Sequence, residues 1–167
     1  AATLTFTTAN WDTPQTVTVT GQDDDIIDGS QTATITMSID AASTDDDFDA
    51  VGDETIDVDN TDNDVAGFTI VESASSTGVS ETGTADTFTV VLDAEPSSNV
   101  VITVTSGDTG EATVDKSSLT FTTGDWDTPQ TVTVTGVSDG IVDLTQTFNI
   151  TMAIDDATSD DAFDALA

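Results

Sequence analysis

Apolar residues recur at every second position along much of the chain, with threonine filling most of the places between. The sets are Ile56 and Val58; Phe68 and Ile70; Phe88, Val90 and Leu92; Val100, Ile102 and Val104; Leu119 and Phe121; Val132 and Val134; and Phe148, Ile150, Met152 and Ile154. A period of two places each set on one face of an extended strand and predicts seven short strands with a buried side. Turn-forming clusters at residues 95–99, 107–110 and 127–129 separate them. Such a pattern predicts an all-β fold of antiparallel Greek-key sandwiches of immunoglobulin-like type. A β-solenoid would need a period several times shorter than the repeat this chain contains.

That repeat is visible by eye. LTFTTANWDTPQTVTVTG at residues 4–21 returns as LTFTTGDWDTPQTVTVTG at 119–136, an offset of 126 − 11 = 115 between Trp11 and Trp126. The same offset pairs Asp24 with Asp139, Met37 with Met152 and Phe48 with Phe163, and 32 of the 52 aligned positions are identical. Residues 1–64 therefore read as the C-terminal half of one sandwich. Residues 65–167 read as the next one, lacking the last strand that Ile56 and Val58 mark in the first copy. With Ala1 in place of an initiator Met and no secretory signal pattern, the chain is expected to be a processed product or a fragment.

Composition narrows the chemistry. The 167 residues carry 33 acids against one base, Lys116, for a net charge of −32, and there is neither His nor Cys. Thiol nucleophiles, histidine bases, Cys/His zinc sites and haem ligation lack their residues. A single lysine makes no phosphate-binding surface, so nucleic acid and anionic membranes are excluded as partners. No apolar run approaches the roughly 20 residues of a membrane span. A glycosidase would need paired carboxylates in a cleft and usually aromatic platforms. The only two tryptophans sit at equivalent repeat positions, which suits a packing element better than a unique active site, so no enzyme is expected. Threonine, the commonest residue at 35, suits strands.

The acids are placed unevenly. Twenty-eight of the 33 are Asp, and they gather in loops while the outward strand positions are Thr. A halophilic surface would spread them over the strand faces. Following the chain up and down the sandwich brings three segments to one pole: the turn at residues 79–83 with Glu81, the loop after the fifth strand, and the end of the seventh. The loop carries Asp23, Asp24, Asp25 and Asp28 in the first copy and Asp139 and Asp143 in the second; the chain end carries Asp59, Asp62 and Asp64. The other pole of the second copy abuts the linker at 59–66, so acid faces acid across the joint. Crowded carboxylates need a counter-charge. Oxygen ligands without nitrogen or sulfur indicate Ca²⁺ rather than a softer metal.

The segment 68–72, the triplet Val79-Ser80-Glu81, the LTF…W…PQTVTVTG stretch, the Asp-rich loop at 23–28 and the run Asn-Thr-Asp-Asn-Asp at 60–64 together resemble the Calx-β type of domain, known from sodium/calcium exchangers, integrins and tandem arrays in large bacterial surface proteins. The resemblance implies a calcium-binding β-sandwich with metal held at Glu81, Asp139 and Asp143 in the second copy and at Asp24, Asp28, Asp59 and Asp62 in the first. Residues 59–64 are also similar to cadherin interdomain linkers, which bind calcium. Ser138 and Gly140 stand where the first copy has Asp23 and Asp25, so the second site is expected to be weaker or differently built.

The expected function is structural: a segment of a long extracellular, Ca²⁺-stabilised cell-surface protein, serving as adhesin stalk, surface fibre or matrix filament. Its expected partners are neighbouring repeats of the same or identical chains. The alternative is an adhesion module in which Ca²⁺ bridges a surface glycan or protein; a copy-specific loop or an aromatic cluster would favour it, and neither is present.

Overall fold

The computed structural model describes residues 2–142 and 144–166. The described residues form nine strands: β1 Gln31–Met37, β2 Glu54–Asn60, β3 Phe68–Glu72, β4 Ala85–Leu92, β5 Val100–Ser106, β6 Ala112–Val114, β7 Ser118–Phe121, β8 Gln130–Gly136 and β9 Ile150–Ile154. Two short 3-10 helices, Asp46–Phe48 and Asp161–Leu166, complete it. Every strand pairing is antiparallel. The fold is all-β, as the alternation predicts.

β3, β4, β8 and β6 form one sheet in that order, and β7, β5 and β9 a second. β4 meets β8, far along the chain, from Ala85 opposite Thr135 to Val90 opposite Gln130. The inward residues of both sheets share one cluster: Phe88, Val90, Leu92, Val100, Ile102, Val104, Leu119, Phe121, Val132, Val134 and Ile154. These are the alternate positions that the pattern marks as core, because a pleated strand sends every second side chain to the same face. Phe163, from the second 3-10 helix, closes one end of the cluster and is fully buried.

The strand marked by Leu119 and Phe121 is preceded by one that the pattern does not mark. Residues 112–114 pair with β8 in one sheet, and residues 118–121 pair with β5 in the other. The chain changes sheet across residues 115–117. Three residues of Ala-Thr-Val are too few to display a period, so β6 leaves no signal in the sequence. The glycine that ends β8 has a steric cause. A Cβ at Gly136 would fall 2.1 Å from the carbonyl oxygen of Ser80.

Residues 2–64 have no core of their own. None of them is buried. Besides the 3-10 helix at Asp46–Phe48, their regular structure is the hairpin of β1 with β2, in register from Gln31 opposite Asn60 to Met37 opposite Glu54. The LTF and QTVTVTG stretches that form β7 and β8 in the second copy form no strands in the first. Leu119, Phe121, Val132 and Val134 are at most 1 % exposed, whereas Leu4, Phe6, Val17 and Val19 are 39–53 % exposed. In the second copy the partners of these stretches are β4, β5 and β6; the first copy has no counterpart to any of them.

Candidate functional site: the acidic joint

The loop of residues 22–28 is built around two adjacent apolar residues. The Asp24 carboxylate accepts from the Ile26 N–H at 3.1 Å, an Asx-type turn that holds the loop open. The Asp25 carbonyl accepts from the Glu95 N–H at 2.7 Å, and Ile26 forms a parallel bridge with Glu95. Ile27 packs against the apolar cluster of the second copy. The acidic loop of the first copy thus meets the turn between β4 and β5.

The linker lies beside it. One Asp62 oxygen accepts from the Gly29 N–H and the other from the Asp64 N–H, both at 2.8 Å. These amides, Asp64 first and Gly29 second, hold the Asp62 carboxyl below its ordinary range against the opposing effect of burial. Asp64 moves the other way: burial pushes it up, and the charges of Asp62, Asp25, Asp23 and Asp24 push it further. Asn60 ties the same corner by donating its amide N–H to the Gln22 carbonyl at 2.7 Å. A small cavity of ≈ 20 Å³ lies between Asp24, Asp28, Asn60, Asp62 and Asp64.

Of the acids singled out from sequence, Asp23, Asp24, Asp25, Asp28, Asp62 and Asp64 are brought to this joint. Asp59 belongs to the strand surface, where it accepts from the Thr32 hydroxyl at 2.7 Å across the hairpin. Glu81 lines a separate cleft of ≈ 330 Å³ with Val79, Leu144 and Phe148. Asp139 accepts from the Ile141 N–H at 2.7 Å, repeating the turn that Asp24 makes with Ile26. Asp143 lies outside the described residues. Among the described residues, no three carboxylates stand close enough together to enclose a metal ion. The donor set at the joint is oxygen throughout, which fits a hard cation.

Two features of the joint escape the sequence reading. Ile26 and Ile27 are an apolar pair inside an acidic loop, and their return as Ile141 and Val142 was the available signal. Asp160 is the other. It is buried, and its carboxylate accepts from the Ser97 hydroxyl at 2.7 Å, the Ser98 N–H at 2.8 Å and the Ala162 N–H at 2.9 Å. Burial opposes its ionisation, and the hydrogen bonds from Ala162, Ser97 and Ser98 outweigh that and hold the carboxyl below its ordinary range. Nearby, burial pushes the Asp164 carboxyl up, helped by the charges of Asp161, Asp156 and Asp160. One Asp164 oxygen is buried without a hydrogen-bond partner.

No protein-family model, curated protein or solved structure matches this chain. Among the described residues, no helix is long and apolar enough to cross a membrane.

Proposed function

We propose that the chain is a structural segment of a long tandem array of β-sandwiches, one and a half repeats of 115 residues, in which an acidic joint sets one repeat against the next. The observation that carries this reading is the contact of the first copy's loop with the second copy's turn: the Glu95 N–H bonded to Asp25 and Ile27 set against the next core. A spacer acts through its length and stiffness, and a joint of backbone bond plus apolar contact supplies stiffness that a flexible linker does not.

Calcium is proposed as the counter-charge at this joint. Asp23, Asp24, Asp25, Asp28, Asp62 and Asp64 would hold it, with Asp59 at the margin, and the second copy's Glu81, Asp139 and Asp143 would serve the following joint. A bound cation would neutralise the repulsion that pushes Asp64 up. Near-constant millimolar calcium outside cells suits such sites, so the array is placed at the cell surface.

Replacing Asp62 by Ala removes a carboxylate of which one oxygen ties the linker to the loop at Gly29 and the other holds the linker's own turn at Asp64. In small-angle scattering in the presence of Ca²⁺, Asp62→Ala should broaden the distance distribution while leaving the sheet content seen by circular dichroism unchanged. A distribution identical to that of the native chain would mean that the linker carboxylates do not set the joint.

A further inference from the structure

Ile26 and Ile27 have counterparts one repeat on. The offset of 115 places Ile141 and Val142 at the same two positions. There the side chains are 61 % and 97 % exposed, among the most solvent-facing apolar residues in the chain. Two features of the first copy's loop recur around them, while Gly140, with φ +83, departs from its counterpart Asp25. Asp139 makes the turn with the Ile141 N–H that Asp24 makes with the Ile26 N–H. Three residues after the leading Ile, Gly29 has φ +71 and Leu144 has φ +70. A left-handed conformation costs a leucine what it does not cost a glycine. Leu144 adopts it nonetheless, as Gly29 does.

We infer that Ile141 and Val142 form a docking plug for the turn between β4 and β5 of a following repeat of this same type. The interface is present once within the molecule, which identifies the occupant. Ile141 would bridge to the residue equivalent to Glu95, the Gly140 carbonyl would accept that residue's N–H, and Val142 would pack on the next core as Ile27 does. Gly140, at φ +83, stands where Asp25 does. A glycine there can reach whatever backbone angle the docked state requires. The joint is therefore keyed by an apolar pair, while the acids around it repel unless neutralised. An exposed pair at 61 % and 97 % has no role within its own repeat, and an acidic loop has no intrinsic reason to repeat it.

This inference rests on the reading of the chain as a repeat segment, and its test separates the two. Residues 53–167 are joined after Ala167 to lengthen the chain by one repeat, with Ile141→Val in the appended copy so that its peptide differs in mass. Amide hydrogen exchange is followed at residues 25–27 and 140–142. Exchange at 140–142 should slow at least tenfold relative to the 167-residue chain, approaching that at 25–27. In the lengthened chain, Val142→Asp in the first 167 residues should restore fast exchange at 140–142 and leave β4, β5 and β8 protected. Unchanged exchange at 140–142 with 25–27 protected would overturn the plug alone. Fast exchange at both would overturn the joint itself. Protection at 140–142 that survives Val142→Asp would show that the apolar pair is not its cause.

Discussion

At the scale of single residues, carboxylates in this chain act mainly as hydrogen-bond acceptors that shape loops. Thr7 N–H donates to the Asn10 side chain at 2.5 Å, and Thr122 N–H to the Asp125 side chain at 2.6 Å. The tryptophan loop is thus closed by the same local bond in both copies, whether or not a core lies beneath it. Asp160 binds more distant segments, joining the turn at Ser97 and Ser98 to the start of the second 3-10 helix. Asp160→Ala leaves the Ser98 and Ala162 N–H groups without their acceptor, which costs about 1–3 kcal/mol in urea unfolding at neutral pH. Because the Asp160 carboxyl is held low in the folded chain, its contribution is present above pH 3.8 and is lost as pH falls through the folded value. The native and mutant curves should therefore converge in acid. A gap that persisted there would mean that the ionised carboxylate is not what stabilises this corner.

At the scale of elements, the two copies are a controlled comparison that the molecule makes on itself. QTVTVTG is a strand in the second copy, where β4 and β6 flank it, and is not a strand in the first, where nothing does. Strand propensity is thus realised only through partners. The sequence was legible where alternation persisted: β3, β4, β5, β7 and β8 fall where the pattern puts them, and the sets on β4, β5, β7 and β8 form the core, whereas Ile56 and Ile70 are 55 % and 43 % exposed. It was silent on β6, too short for a period. It also placed the start of the sixth strand early, since Phe148 packs on the core while regular pairing begins at Ile150. At the joint, charge was legible but geometry was not. Asp59 differs from Asp62 only in that it falls within a paired strand, where Thr32 claims it. The exposed face of residues 4–19 makes its own prediction, since contiguous apolar surface of this kind associates. The 167-residue chain should sediment with a mass that rises with concentration, and Val17→Asp with Val19→Asp should reduce that rise. A strictly monomeric native chain would contradict this.

At the scale of the whole molecule, order is concentrated in residues 66–163, and the first copy reaches that core through one loop. The account gives the loop two tasks that pull against each other. Ile26 and Ile27 bring the copies together, while Asp23, Asp24, Asp25, Asp62 and Asp64 repel at the same place. A net charge of −32 with one lysine leaves no protein cation to relieve that repulsion. A soluble divalent cation is the remedy proposed here, and extracellular Ca²⁺ sites in general have dissociation constants of about 10⁻⁴–10⁻³ M. At 10 mM free Ca²⁺, a single site of about 10⁻⁴ M adds RT ln(101), roughly 2.7 kcal/mol, to the folded state. The direct measurement is a pair of thermal melting curves, one in EDTA and one in 10 mM Ca²⁺, at fixed ionic strength so that general screening is equal in both. A clear upward shift of the midpoint in Ca²⁺ is expected, and coincident curves would contradict a calcium-stabilised joint.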